Sequence, residues 1–361
     1  MSNNLDVAPP PGADRHSSRQ ILVLHGGGYR GLYTARVIEK LEEAIGHPIL
    51  DAFDMVAGTS IGGIIALALA SEMSGKSIRE TIESRGPSLF PDHGWLGRRW
   101  QFLKRLAVPP HQQQKLRDLI ADVVDSDKVM HQFDVEIVIP ALDASGGAKG
   151  PTPIIFNNHV NSRTRDTKLI DVALSTSAAP TYFASHQIPE SRRQLVDGGV
   201  IANSPSWIAL TMALAEYGWQ VDTLRMLIIG TTQSPLGRIP KPPEKQGLLK
   251  RLRHPIRTHK RWHSEGLFYW LKKGRLLSLL MEGQQRLADQ MCLEALETDN
   301  ALIIDSFRSK EQDKVAAALN QASTEATNTL QALADDEVEV SLANPSLMRL
   351  LRRTALRNRA T

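Results

Sequence analysis

The stretch Phe53-Asp54-Met55-Val56-Ala57-Gly58-Thr59-Ser60-Ile61-Gly62 passes from a short apolar strand, through a Gly-x-Ser-x-Gly turn, into the apolar helix Ile61-Gly-Gly-Ile-Ile-Ala-Leu-Ala-Leu-Ala. This strand–turn–helix context is what a nucleophile elbow requires. The backbone turns so sharply at the serine that side chains two residues to either side would collide, hence glycine at 58 and 62. The turn lifts the hydroxyl off the sheet. The helix that follows places free N–H groups beside Ser60, where negative charge would develop on an attacked carbonyl. The expectation is a nucleophilic serine on an α/β framework.

Working outward, Gln20-Ile-Leu-Val-Leu-His25 is a second apolar strand, and it runs into Gly26-Gly27-Gly28-Tyr29-Arg30-Gly31. A helix over 32–45 follows, with apolar residues at Leu32, Ala35, Val37, Ile38, Leu41 and Ile45. Consecutive glycines let several backbone N–H groups converge on one anion. Gly26-x-Gly28-x-x-Gly31 matches a dinucleotide fingerprint, but that fold wants an acidic residue ending the next strand, where this chain has Gly58-Thr59-Ser60. A phosphate-binding Walker loop needs Gly-Lys-Ser/Thr, which is absent. The third reading is an oxyanion hole for Ser60, with a plain cluster of turn glycines as its alternative; it is preferred because both loops would open on the same carboxyl edge of a parallel sheet.

The general base separates the hydrolase classes. His25-Gly-Gly-Gly is similar to the HGGG loop of α/β-hydrolase esterases, which demand Ser, then Asp or Glu, then His. The histidines after Asp197 are His254, His259 and His263, all in a strongly basic stretch with no preceding strand, and they read as surface residues. Gln194-Leu195-Val196-Asp197-Gly198-Gly199 instead ends a short strand on a carboxylate backed by two glycines, although an ordinary Asp-Gly turn has the same appearance.

Four segments together resemble the patatin-like phospholipase family: Gly26-Gly27-Gly28-Tyr29-Arg30-Gly31, Gly58-Thr59-Ser60-Ile61-Gly62-Gly63, Ser177-Ala178-Ala179-Pro180-Thr181-Tyr182-Phe183, and Asp197-Gly198-Gly199, in that order within 20–232. The resemblance implies a three-layer α/β sandwich and a Ser–Asp dyad in place of a triad. Ser60 would be the nucleophile and Asp197 the base. The oxyanion hole would come from the loop Gly26, Gly27, Gly28, with Arg30 beside it. The family often has an acidic or small residue before the glycines; here it is His25, for which packing at the strand end is preferred over catalysis. The implied chemistry is acyl transfer to Ser60, release of a lysophospholipid or glycerol, and hydrolysis of the acyl-enzyme. That route needs no metal or cofactor, and no His/Cys cluster with metal-ligand spacing is present in the sequence.

Composition fits a globular enzyme: 361 residues, 42% apolar and 23% charged, are ample for a buried core. The single cysteine, Cys292, excludes an internal disulfide and suits a reducing cytoplasm. No basic start followed by an apolar stretch suggests a signal peptide, and no apolar run reaches membrane-span length. Residues 1–18 read as a disordered polar tail. The expected organisation is a catalytic domain over 19–335 and a helical extension over 336–361. Strands are expected near 20–25, 53–58, 135–142, 153–157, 194–197, 224–230 and 301–307. Helices are expected at 32–45, 62–72, 113–123, 168–178, 204–217, 264–297, 310–333 and 345–358. This is α/β with a mainly parallel sheet covered on both faces.

Two segments interrupt that core. Residues 85–117 carry Phe90, Trp95, Trp100 and Phe102 among seven Lys/Arg. Residues 241–281 hold eleven Lys/Arg against Glu244 and Glu265, with Trp262, Phe268, Tyr269 and Trp270. The whole chain is only +4, so the basic charge is concentrated. Aromatics beside Lys/Arg suit the interface of an anionic membrane. The same chemistry suits nucleic acid, which is not expected as a partner, and core packing of the aromatics is the plainer alternative. The expectation is a lid and a docking surface that make the protein cytoplasmic and peripheral at the inner face of the membrane when active.

The His25-Gly-Gly-Gly-Tyr-Arg-Gly-Leu-Tyr-Thr-Ala segment and the compact chain are also similar to bacterial cyclic-nucleotide-activated phospholipases of anti-phage signalling systems (CBASS). That resemblance implies a cyclic di- or trinucleotide activator and allows a homo-oligomer. A lipase turned on its host's membrane must be off by default, so a ligand gate is physically reasonable. Competing readings are an ungated hydrolase of neutral lipids or thioesters, a binding protein that keeps the fold, and, more distantly, a nucleotide-binding oxidoreductase.

Overall fold

The computed structural model describes residues 18–90, 110–145, 150–180, 182–189, 191–234, 275–297 and 299–353. Eight strands form one sheet: β1 (Arg19–Leu24), β2 (Met55–Gly58), β3 (Glu136–Asp143), β4 (Thr152–Asn157), β5 (His186–Gln187), β6 (Gln194–Asp197), β7 (Leu224–Ile229) and β8 (Ala301–Ile304). Their order is β5-β6-β3-β2-β1-β7-β8, with β4 paired to β3. The run β3-β2-β1-β7-β8 is parallel, while β4 and β6 pair antiparallel with β3. The expected α/β architecture, mainly parallel with helices on both faces, is the one found.

The helices are α1 (Gly31–Ile45), α2 (Ile61–Ala70), α3 (Gly75–Leu89), α4 (Pro110–Val123), α5 (Leu169–Ser177), α6 (Gly199–Ala202), α7 (Ser206–Ala215), α8 (Arg275–Ala295), α9 (Lys310–Ala316), α10 (Thr324–Leu342) and α11 (Pro345–Leu351). Strand alternation divides the core into two layers. Leu22, Leu24 and Val56 face the layer that includes Leu32 and Ile38 of α1, Ile65 of α2 and Leu330 of α10. Ile21, Val23, Met55 and Ala57 face Ala209 and Leu210 of α7 and Cys292 of α8. Helix α2 is apolar all round because it is buried all round.

Besides the short β5 and α6, which the sequence patterns do not predict, three elements differ from expectation. Helix α3 was not anticipated, because its sequence is largely polar; it buries only a stripe that includes Ile78, Ile82 and Leu89, and Ser74 caps it by accepting from Ser77 N–H at 3.2 Å. The single helix expected over 310–333 is two. Ser323 caps α10 by accepting from Ala326 N–H at 3.2 Å, and the connection offers Leu319 O to Tyr29 N–H at 2.8 Å. The strand expected over 301–307 ends at Ile304. Residues 91–109 and 241–274, and with them most of the expected lid and basic segments, lie outside the described residues, as do 1–17 of the expected tail. Helix α10 runs continuously through residue 335. Among the described residues no helix is long and apolar enough to cross a membrane.

Candidate active site

Strand β3 acts as a ruler for the site. Its first half pairs with β2, Ala57 opposite Val138, and its second half pairs with β6, Asp197 opposite Ala141. Three residues along a strand span roughly 10 Å, the same count that separates Ala57 from Ser60. The chain leaving β2 and the chain ending β6 therefore meet. Ser60 Oγ donates to Asp197 Oδ2 at 2.7 Å, and both residues are buried.

Ser60 stands at φ 55°, ψ −124°, a conformation that non-glycine residues rarely adopt. Such strain costs roughly 1–3 kcal/mol and persists only where the surroundings enforce it. Here they do. A Cβ at Gly58 would lie 2.2 Å from Gly62 O, and one at Gly62 would lie 2.4 Å from Leu24 O. Ser60 N–H donates to Thr176 Oγ1 at 3.0 Å, and Thr176 Oγ1 donates in turn to Pro140 O at 2.7 Å, tying the turn to β3. Thr59 Oγ1 donates to Ala202 O at 2.7 Å.

Asp197 is fixed from behind. Its N–H donates to Ala178 O at 3.0 Å, and Gly199 N–H donates to its Oδ1 at 2.6 Å. Burial pushes its carboxyl up to about 6, even though the Ser60 hydroxyl and the Gly199 amide both favour the charged form. A carboxylate with that value is largely ionised at neutral pH and is a better proton acceptor than an ordinary aspartate.

The glycine loop lies beside the pair, but its members do different things. Gly26 N–H donates to Asn203 O at 2.9 Å, so it is committed and does not serve as the expected oxyanion donor. Gly27 and Gly28 line the cleft with Ser60 and Asp197, and among the described residues their N–H groups have no acceptor. Gly28 adopts φ +56°, and a Cβ there would lie 2.3 Å from Leu319 O. The Arg30 side chain is not at the cleft. Its Nε donates to Gly27 O at 3.4 Å and its Nη1 to Thr232 O at 3.3 Å, which makes it a brace for the loop. Burial, followed by the neighbouring Arg308, lowers the Arg30 guanidinium to about 10.

His25 is buried, and its Nε2 lies 3.2 Å from Asp289 Oδ2. Burial disfavours the imidazolium, but Asp289 outweighs it and the His25 pKa is raised. His25 does not line the cleft.

The cleft holds about 860 Å³ of empty space, counted into its mouth. Beyond the Ser60–Asp197 end its lining is almost wholly apolar: Ile61, Ile64, Ile82, Leu89, Phe90, Leu116, Leu119, Phe183 and Met281. Helices α3 and α4 supply several of these. Sequence reasoning missed Thr176, Asn203 and the buried polar face of α8. A Ser-Thr-Ser run at the end of a helix was the only local signal for the first; the others had none.

A family model described as patatin-like phospholipase matches residues 22–210. A cGAMP-activated phospholipase of Escherichia coli is 31% identical over 300 residues, 78% of this chain and 77% of its own length. A protein of the same description from Pseudomonas aeruginosa is 30% identical over 329 residues, 90% of this chain and 89% of its own. A third, from Vibrio cholerae, is 32% identical over 243 residues, 62% of this chain and 67% of its own.

Proposed function

The chain belongs to the patatin-like phospholipase family of lipid hydrolases, and from that premise we propose that it cleaves fatty-acyl esters of membrane phospholipids through Ser60 and Asp197, under the control of a cyclic oligonucleotide. The observation that carries the catalytic part is the 2.7 Å hydrogen bond from Ser60 Oγ to Asp197 Oδ2 at one end of an apolar cleft.

In this reading Ser60 Oγ attacks the ester carbonyl carbon while its proton passes to Asp197 Oδ2. The carbonyl oxygen becomes an oxyanion held by the Gly27 and Gly28 N–H groups; one such donor is typically worth about 3 kcal/mol. The tetrahedral carbon collapses, the ester C–O bond breaks, and the departing alkoxide of the lysophospholipid takes the proton from Asp197. Water then attacks the acyl-Ser60 carbonyl, giving one proton to Asp197. On the second collapse the fatty acid leaves and that proton returns to Ser60 Oγ. The aliphatic lining accommodates an acyl chain, since burying each CH₂ contributes about 0.8 kcal/mol.

The names of the relatives support the nucleotide switch, and the extent of alignment makes cGAMP the first activator to test. A gated phospholipase acting peripherally on the inner membrane face in anti-phage defence follows from that reading. The test is fatty-acid release from phospholipid vesicles by wild type and Ser60→Ala, with and without cGAMP and a panel of cyclic di- and trinucleotides. Ser60-dependent release only with nucleotide is the expected result. Release without nucleotide removes the switch and leaves an ungated hydrolase. No Ser60-dependent release under any condition overturns the catalytic reading.

A further inference from the structure

Helix α8 carries two adjacent glutamines that bond to the two ends of α6, the short helix behind Asp197. Gln284 Nε2 donates to Gly199 O at 2.8 Å. Gly199 is the residue whose N–H donates to Asp197 Oδ1 at 2.6 Å. Gln285 is buried, and its Oε1 accepts from Asn203 Nδ2 at 2.6 Å. Asn203 Nδ2 also donates to Gly26 O at 3.2 Å, while Asn203 O accepts from Gly26 N–H at 2.9 Å. Gly26 leads directly into Gly27 and Gly28. One turn further along, Asp289 accepts from Ser204 Oγ at 2.5 Å and Ser206 Oγ at 2.9 Å and pairs with His25.

A helix packed on an apolar layer has no need of such groups for stability. A satisfied buried hydrogen bond contributes little net stability, and buried ion pairs are weak stabilisers. Gln284 bonds directly to the residue behind Asp197, and Gln285 bonds to Asn203, which in turn braces Gly26 at the start of the glycine loop. Helix α8 also lies outside residues 22–210, where the family model matches. We propose that α8 is the positioning element of the reaction, Gln284 holding the Gly199 amide on Asp197 and Gln285, through Asn203, holding the Gly26–Gly28 loop at the oxyanion position. This rests on the Ser60–Asp197 reading of the site.

The two glutamines have separable consequences. The Gly199 N–H favours the ionised form of Asp197, and Gln284 anchors the next peptide group of the same residue, so loosening that anchor frees Gly199 and weakens its support of the carboxylate. The groups facing Asp197 are the Ser60 hydroxyl and the Gly199 amide, and α8 brings the uncharged Met281 and Gln284 to this turn. Gln284→Met therefore moves the pH–rate midpoint upward by roughly 0.5–1 unit, with activity recovering at high pH. Gln284→Lys keeps an N–H donor and adds positive charge near Asp197, so its midpoint falls below that of wild type. Gln285→Met leaves the midpoint in place and lowers kcat about tenfold with little change in KM, because small misplacements of transition-state donors act on kcat. Gln290 is exposed on the same helix and, among the described residues, its side chain bonds to Glu294 alone, at 2.7 Å, so Gln290→Ala is the control.

The experiment measures kcat and KM from pH 5 to 9 on a soluble short-chain p-nitrophenyl ester with cGAMP present, for wild type, Ser60→Ala and the four α8 variants, with thermal melts alongside. Opposite midpoint shifts for Gln284→Met and Gln284→Lys support the proposal. Unmoved midpoints in both, or the same losses in Gln290→Ala, overturn it. Gln284 is partly exposed; should Gln284→Met fail to melt cooperatively, the direction of the Gln284→Lys shift decides alone. A wild type with no Ser60-dependent turnover would instead refute the dyad, which keeps the two failures distinct.

Discussion

Replacing Asp197 by asparagine should stabilise the protein at neutral pH while disabling it. The folded carboxyl sits at about 6 against an ordinary value of 3.8. Each unit of difference corresponds to 1.36 kcal/mol, so holding Asp197 ionised in the fold costs about 3 kcal/mol. The folded value is raised, so between the two values the native state binds more protons than the unfolded chain. The contribution of Asp197 to stability is therefore complete below about pH 4 and is lost as pH rises through about 6. Asparagine does not titrate, and every other group titrates equally in both proteins. The difference in unfolding free energy, variant minus wild type, should rise by about 3 kcal/mol between pH 3.5 and pH 7.5. Urea unfolding at half-unit pH steps measures it. A difference that stays constant with pH, or that falls as pH rises, would refute the claim that burial dominates at Asp197.

Three further outcomes are expected. Activity should follow a single ionisation near pH 6, with kcat/KM flat above it and falling tenfold per unit below, because Asp197 must accept a proton; a profile flat down to pH 5 would contradict this. Ser60→Ala should lower turnover at least ~10³-fold with a cooperative but somewhat lower melt, since the elbow is enforced by its glycines while the buried Asp197 loses one of its donors; an unfolded variant would show the hydroxyl to be essential to the fold. Gly27→Ala would place a Cβ 2.5 Å from Thr231 Oγ1. The loop must shift, so kcat should fall ~10²-fold with KM little changed; equal changes in the two constants would point to lost binding.

The local elements were legible because their signals are short-range. The Gly-x-Ser-x-Gly turn between a strand and an apolar helix, the glycine run after Gln20–His25, and the Asp-Gly-Gly end of a short strand each follow from steric or hydrophobic rules that act within a few residues. Helix α3 escaped because its polar composition masks a narrow buried stripe, and the α9–α10 break escaped because its purpose is a contact with Tyr29, far away in sequence. The meeting of Ser60 with Asp197, 137 residues apart, depends on β3 pairing parallel with β2 and antiparallel with β6 in one particular register. The commitment of the Gly26 amide to Asn203 O, and the reach of Gln284 and Gln285 from α8 to the two ends of α6, have no local signature. Periodicity encodes which face of an element is buried. Which distant atom a buried polar group meets is set only when strands pair in register and helices dock, and that is where the chemistry of this site is assembled.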